Sequence, residues 1–420
     1  MISTISRWLT IDEYRNLVKN YSSLGLVQLS NYILPLITLP YLSRILGVNH
    51  FGLVMMAQAI MIYLTIITDF GFNLSATKEI ATHQNNSRKV SEIFSTVLAI
   101  KCILLTISFI ILIGIVTTIP LLAAHSSLFY LSFLIVIGNT FLPTFLFQGM
   151  EKMSYLAIFN LIAKICFTGL IFILIKSSAD YYFVHALWGV SYIIVNIVSF
   201  YIIIKTLSIN IITPTMSQIK SYWKLSFEYF LSRIAVAIYL NANIIIIGLL
   251  LTPIDAGYYS GAEKLIFAIT TFYAPLIETV YPYVSRSKNF RFIKKLLFIT
   301  ISLNSICCIA AYFIAPFLIP IILGSNFMPS IQLFQWLLII ALLHLPISMI
   351  GYPILGALGY EKTANRSGIF GAILHIVLIS IFYTKLTTPI QFIWIMIASQ
   401  SSILFIRATK LVTIKKQPIN

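Results

Sequence analysis

The sequence predicts an all-α membrane protein: twelve transmembrane helices in two six-helix halves, with both termini in the cytoplasm. Three observations carry that prediction. Apolar stretches of about twenty residues, the length a membrane-crossing helix needs, follow one another to the end of the chain. Nearly every lysine and arginine falls in alternate gaps between them, and the two halves share a motif at a fixed offset. Composition agrees, because 59% hydrophobic and 10% charged residues lies far from the average of soluble domains.

Residues 1–20 are polar and amphipathic, with Trp8, Leu9, Ile11, Tyr14, Leu17 and Val18 set among charges. This reads as a cytoplasmic arm lying on the membrane interface, not as a cleavable signal peptide. The N-terminal six-helix half, 21–204, holds spans at 21–41, 52–70, 93–118, 128–148, 154–175 and 183–204. A cytoplasmic linker follows over 205–225. The C-terminal half, 226–406, holds spans at 226–250, 258–283, 296–320, 331–355, 368–385 and 390–406, and a basic cytoplasmic tail, 407–420, ends the chain. Each span can cross a hydrocarbon core of about 30 Å as a helix.

The N-terminal arm, the gaps after even-numbered spans and the tail contain 21 of the 28 cations. The gaps after odd-numbered spans hold only Arg44, Lys176 and Lys385, while Lys101, Lys164, Arg233 and Lys264 lie inside spans. By the positive-inside rule both termini are cytoplasmic, and gaining or losing one span would scramble the alternation. The net charge of +16 is therefore a topological signal and not a nucleic-acid surface. Cys102, Cys166, Cys307 and Cys308 lie in apolar spans without ligand-like spacing, so neither a metal nor a disulfide is expected, and no cofactor motif occurs.

The fourth span ends P-T-F-L-F-Q-G-M-E-K (Pro143 to Lys152) and the tenth P-I-L-G-A-L-G-Y-E-K (Pro353 to Lys362), two copies of P-x5-G-x-E-K 210 residues apart. A second echo, at an offset of 205, pairs Leu46 to Gln58 with Leu251 to Glu263 and aligns Gly52 with Gly257. Because six is even, the two halves enter the membrane in the same orientation, the parallel repeat of many alternating-access carriers. The gaps expected on the outer side hold about ten residues or fewer, leaving no room for an external catalytic domain. No P-loop, D-x-D pair or Ser/His/Asp grouping appears in a loop. Transport is the reading that remains.

A carrier of this kind needs a polar cleft between its halves. The second span carries Gln58, Thr65, Asp69 and Asn73 on one helical face, and the eighth carries Glu263, Thr270 and Glu278 at equivalent positions. Gln28 and Arg233 are equivalent in the first and seventh spans. Pro35 and Pro40 permit a bend or local unwinding of the first span where a cavity can satisfy the freed carbonyls. Lys164 lies about ten residues from either end of the fifth span, on a stripe with Asn160 and Thr168, too deep to reach an interface. A lysine at that depth costs about 2.5–3.5 kcal/mol unless it faces a wet cavity or a partner.

Lys164, Arg233, Asn160 and Gln28 are therefore the candidate cargo-binding residues. Arg233 is equally suited to a structural pair with Glu228. Lys101 can snorkel to the interface, and Glu263 and Lys264 are placed to line an outer vestibule. Asp69, Glu263, Glu278 and Arg44 are the candidates for coupling or gating. His185, His344 and His375 lie inside spans, where a hydrogen bond to a neighbouring helix is the simpler role and proton sensing the alternative. A cationic cavity suits diphosphates and acidic sugars, since lysine offers a point charge and arginine a bidentate fork.

The stretch N-Y-I-L-P-L-I-T-L-P-Y-L-S-R-I-L-G-V-N-H-F-G (Asn31 to Gly52), followed by D-F-G-F-N-L-S-A-T-K-E-I-A (Asp69 to Ala81), resembles the opening of the O-antigen flippases of the polysaccharide transporter family, called Wzx. These share a superfamily with the multidrug and toxin extrusion (MATE) carriers. The resemblance implies a MATE-like fold with a V-shaped cavity between two bundles. It implies a cargo of undecaprenyl-diphosphate-linked oligosaccharide, moved from the cytoplasmic to the periplasmic leaflet of a bacterial inner membrane. Membrane lipid, a polysaccharide polymerase and a chain-length regulator are the partners implied, and no nucleic acid. Within the motif, Gly47 and Gly52 are expected to serve a tight external turn. Two alternatives stay open: a small-molecule or drug antiporter of the same fold, and, disfavoured by the absent external loop, a polysaccharide polymerase.

Overall fold

The computed structural model describes residues 11–271, 273–287 and 290–416; side chains are left out at 11–33, 35–36, 232, 235–236, 238–240, 274–276, 278–279, 282–283 and 415–416. The arm at 1–10 lies outside the described residues. The first helical run, Ile11–Asp69, is two helices parted at Gly47, which has φ +67° and ψ 173°. We label them α1 (11–46) and α2 (48–69). Leu34 and Gln58 line one cavity, yet in straight helix the stretch between them would cover about 36 Å. The chain therefore folds back on itself at Gly47. Only glycine takes this φ without a steric cost, and nothing lies within 4 Å of where a Cβ would stand.

The first half continues with α3 (Ser87–Thr118), α4 (Ser126–Phe141), α5 (Met153–Leu174) and α6 (Val184–Lys205). The second comprises α7 (Met216–Leu250), α8 (Pro253–Thr271), α9 (Phe290–Leu323), α10 (Ser330–Met349), α11 (Glu361–Phe382) and α12 (Pro389–Lys416). Among the described residues nine stretches are long and apolar enough to cross a membrane; the folded Ile37–Thr82 stretch counts as one of them, and α7 contributes only the shorter apolar piece Asn241–Leu250. Each of the twelve expected spans falls on helical segments. α8 misses the apolar criterion because Asp255, Glu263 and Lys264 interrupt it.

Four of the even-numbered helices are interrupted toward the end of the molecule that carries most of the lysines and arginines, the basic end. α2 resumes as Phe72–Thr82 after a kink at Phe70 and Gly71, and α4 resumes as Thr144–Gly149 beyond Pro143. α8 resumes as Ala274–Ser287, and α10 runs into a π-helical turn, Ile350–Gly356, that contains Pro353. The two motif copies thus repeat a geometry. In each, a proline lies at the interruption, with Gly351 leaving helical angles two residues before Pro353, and a closed turn follows, with Lys152 N–H donating to the Phe147 carbonyl (2.8 Å) and Tyr360 N–H to the Leu355 carbonyl (2.7 Å). The left-handed residue of this Schellman-type turn is Glu151 in one copy and Gly359 in the other.

The apolar core is single at one end and divided at the other. Away from the basic end one cluster joins both halves through Phe51, Met56, Tyr259, Phe327 and Phe334. Toward the basic end it parts into a first-half cluster around Phe72, Phe94 and Phe147 and a second-half cluster around Val284, Met349 and Leu355. The halves are therefore packed together at the far end, while at the basic end each has its own cluster and, among the described residues, only α7 bridges them, with Phe230 stacked 4.8 Å from Phe70. The outer faces are apolar, as the exposed Phe298, Phe313 and Phe317 of α9 show, which fits helices bounded by lipid.

Several expectations need correction. α1 stays helical through Pro35 and Pro40, and its departure from helical angles is at Gly47. Gly52 does not serve the turn. It lies inside α2, where the Pro253 carbonyl of α8 comes so near that a Cβ would stand 1.9 Å from the oxygen; the aligned Gly257 faces the Val48 carbonyl at 2.3 Å in the same way. The pair lets two helix backbones touch. The linker is shorter than 205–225, because a Thr215–Gln218 capping box starts α7 at Met216, and the extended piece is strapped to α3 by Ser91 Oγ accepting from Asn210 N–H and Ser95 Oγ from Ile212 N–H. α12 runs on to Lys416, so Arg407 is not part of a tail.

Candidate functional site: a cavity between the halves

A cavity of about 400 Å³ lies where the two halves meet. α1 contributes Thr38, α2 Phe51 and Gln58, α5 Lys164 and Thr168, α6 His185 and Trp188, and α8 Lys264 and Thr271. Three of these sit at one depth. Gln58 is eleven residues beyond Gly47, Lys264 eleven beyond Pro253 and Lys164 ten before Leu174, which places each about 15–17 Å along its helix. Two ammonium groups, one from each half, thus share a pocket near mid-membrane. Lys264 donates to the Gln58 amide oxygen at 2.8 Å, and His185 Nδ1 lies 2.9 Å from Ser132 Oγ of α4. Above this level the Gly52/Gly257 contact and the edge-on pair Phe51–Phe327 (5.5 Å) close the far end.

Of the sequence candidates, Lys164 is in the cavity. Asn160 is not among its lining; its amide donates to the Leu156 carbonyl and its oxygen accepts from Tyr192. Arg233 also lies off the lining, and its guanidinium is paired with Asp69 instead of Glu228. Asp69 is shared: Lys101 Nζ stands 3.9 Å from its other oxygen, with only 2% of the lysine side chain exposed. Lys101 does not snorkel. It turns into the bundle, donates to the Thr140 carbonyl at 3.4 Å and lies 5.3 Å over the Phe145 ring, at the very break of α4. The cluster joins α2, α3 and α4 of one half to α7 of the other. The side chains of Gln28 and Glu278 lie outside the described residues.

Arg44 donates to the Ile321 carbonyl in the last turn of α9, where a cation also favours the helix dipole; it is a second tie between halves at the far end. Glu263 lies beside the Tyr259 hydroxyl. From there a polar chain crosses the second half: Asn243 donates to Tyr259 (3.3 Å), Asn243 Oδ1 faces His375 Nε2 (3.0 Å), and His375 Nδ1 faces Ser399 Oγ (3.4 Å). His185 and His375 therefore take the simpler expected role of bonding to other helices. No cluster of metal-ligating side chains occurs among the described residues.

Two residues were missed in the sequence. Lys264 is inside the cavity and not in an outer vestibule; the repeat alignment held the signal, since Glu263 aligns with Gln58 and Lys264 is its neighbour. Arg407 reaches the broken end of α10, donating to the Ile347 carbonyl (2.6 Å), the Ala364 carbonyl (2.9 Å) and Ser367 Oγ (2.8 Å). It occupies the space a side chain at Gly351 would need, 2.4 Å from that Cβ position. Its position after a long apolar run hid it among the tail cations.

A family model described as "Polysaccharide biosynthesis protein" matches residues 17–288, the first half together with α7 and α8. The chain belongs to this family. A protein of Escherichia coli (strain K12) named "Putative O-antigen transporter" is 28% identical over 318 residues, 76% of this chain and 76% of that protein. Among solved structures, an inward-facing multidrug resistance MATE family transporter of the MOP superfamily superposes with a TM-score of 0.71 at 14% identity, covering 92% of this chain and 96% of that one. The lipid II flippase MurJ in an inward closed conformation gives 0.70 at 16% identity over 94% and 88%. These likenesses show the fold: this is a multi-pass membrane protein with the MATE and MurJ architecture.

Proposed function

We propose that this protein is a flippase that carries undecaprenyl-diphosphate-linked O-antigen oligosaccharide from the cytoplasmic to the periplasmic leaflet of a bacterial inner membrane by alternating access. The observation that carries this reading is the cavity. It sits between halves, is walled by both, and holds Lys164 and Lys264 at mid-membrane beside aromatic and hydroxyl side chains. Two lysines match a diphosphate, while Trp188, Phe167 and Thr168 suit sugar faces and hydroxyls. The O-antigen transporter among its relatives supports the cargo class and a transport role over catalysis.

In this reading the basic end is cytoplasmic, as the charge bias requires, and all twelve segments cross the membrane. The divided core at the basic end admits the cargo head, and the polyprenyl tail stays in lipid. Rocking then parts the Gly52/Gly257 contact and closes the basic end. The polar chain from Glu263 to Ser399 is the route by which an ion gradient would bias the two states, because an ion helps only by binding one of them better. Asp69, Arg233 and Lys101 hold α7 to the first half at the basic end.

The test is a gel of lipopolysaccharide from the source bacterium lacking this gene, beside the parent and strains complemented with the natural chain or with Lys164→Ala. The ladder should collapse to lipid A and core, return with the natural chain and stay lost with the variant at equal protein level. Core bearing one repeat unit would indicate a polymerase, and an intact ladder in the deletion strain would indicate drug or solute transport.

A further inference from the structure

The Lys264–Gln58 hydrogen bond is a polar contact on the cavity wall that joins α8 of one half directly to α2 of the other. We propose that Lys264 is the residue through which the carrier senses its cargo: an anionic group entering the cavity takes the ammonium from Gln58 and so releases the tie that holds α2 against α8. This rests on the reading of the cavity as a site for an anionic, lipid-linked cargo.

Position comes first. Gln58 follows Gly52 by six residues and Lys264 follows Gly257 by seven, so the bond lies about 10 Å along each helix from the backbone contact that closes the far end. The tie and the closure are on the same two helices. Chemistry comes second. The acceptor in the tie is a neutral amide, whereas an anionic phosphate oxygen adds attraction between opposite charges to the same hydrogen bond. Exchange of partners therefore runs toward the cargo.

The third point is what exchange leaves behind. Gln58 lines the cavity, so its amide, once released, faces the open cavity and is not stranded. Asp69 is the opposite case. Parting the halves would break its pair with Arg233 of α7 and keep its pair with Lys101 of the same half, and a link between opposite charges is given up less readily than a lysine's bond to a neutral amide. Between the two polar links that join α2 to the second half through a lysine or arginine, the one at the cavity is built to exchange and the one at the basic end is built to hold.

The experiment uses the full chain in lipid nanodiscs, with the four native cysteines replaced by alanine and spin labels at Asn49 and Asn326. Both positions are exposed near the far end, one in each half. Farnesyl diphosphate is the probe, and its binding is measured alongside the label-to-label distance. In the natural background the probe should bind and raise a longer-distance population. Gln58→Leu should raise the ratio of long to short distances about tenfold or more with no probe, the scale of one lost charge-assisted hydrogen bond. Gln58→Glu should act in the other direction, requiring about tenfold more probe for half the response, because Lys264 then faces a carboxylate. Lys264→Gln should bind the probe more weakly and not respond to it.

A natural distance distribution in Gln58→Leu, or a Gln58→Glu response at the natural probe concentration, overturns the proposal even where the probe binds. If Gln58→Leu does not fold, Gln58→Glu decides. Failure of the natural chain to bind farnesyl diphosphate would instead remove the cargo reading and the sensing role with it, while the ligand-free Gln58→Leu measurement still reports whether the bond holds the halves.

Discussion

Replacing Gly52 with alanine would put a methyl carbon 1.9 Å from the Pro253 carbonyl oxygen, 2.8 Å from the Gly257 amide nitrogen and 3.0 Å from the Pro253 carbonyl carbon. All three are backbone atoms in the first turn of α8, so no side chain can swing aside. Ordinary contact begins near 3.4 Å, and reaching it from 1.9 Å means moving the helices apart by about 1.5 Å at this point, an overpacking that costs about 1–3 kcal/mol. The cost falls only on the state in which α2 and α8 touch. It therefore biases the molecule toward the parted state by about 5- to 150-fold. The assay is the Asn49/Asn326 label distance in nanodiscs together with the lipopolysaccharide ladder; the distance should lengthen and the ladder thin. Two glycines serve as controls. Gly47→Ala meets nothing within 4 Å but has φ +67°, so it should cost about 1–2 kcal/mol of stability without lengthening the distance. Gly114→Ala also meets nothing, at an ordinary helical φ, and should stabilise by about 0.5–1 kcal/mol. A Gly52→Ala protein with the natural distance and a full ladder would refute the idea that this contact is the closure.

Asp69→Asn should cost about 3–5 kcal/mol, because it leaves the buried Lys101 charge without its counter-charge; adding Lys101→Met should recover part of the lost thermal midpoint, and no recovery would mean that the pair is not the cause. Arg407→Lys should lower stability by about 2 kcal/mol or more, since one ammonium cannot span acceptors on both sides of the α10 break as the guanidinium does; denaturation midpoints of the two proteins check it. His125 lies between helices at the far end, 2.9 Å from the Tyr181 hydroxyl, and burial first and the nearby His50 second hold its pKa below the ordinary 6.5. The folded state therefore binds this proton less readily than the unfolded chain, so its contribution is complete above about pH 6.5 and is lost as pH falls through the depressed value. Thermal midpoints from pH 7 to pH 5 should fall in the natural protein and fall less in His125→Gln; equal slopes would exclude His125 as the source.

Much of the fold was legible because its signals are local. Each twenty-residue apolar run can satisfy its backbone only as a helix in lipid, and the two copies of P-x5-G-x-E-K fall on equivalent interruptions of α4 and α10. The site was less legible. Lys164 was found because its depth in an apolar run is itself a cost that needs an explanation. Lys101 was misjudged because a lysine a few turns from a helix end can reach water or turn inward, and only Asp69, the α4 break and the Phe145 ring decide between them. The roles of Gly47 and Gly52 divide for a similar reason: both are glycines beside a turn, but one is needed for its own φ and the other for what approaches it.

Taken alone, the sequence determined which segments become helices, that a motif repeats at a fixed offset, and a resemblance to the O-antigen flippases, because hydropathy, charge bias and short motifs are properties of the chain read in order. The tertiary structure decided which polar groups meet: Lys264 with Gln58, Asp69 with Arg233 and Lys101, Arg407 with the broken α10, and the core that is joined at one end and divided at the other. Those pairings depend on the rotation and crossing of helices distant in sequence. A helix with polar residues on one face announces that it has a partner, and its composition does not say which one.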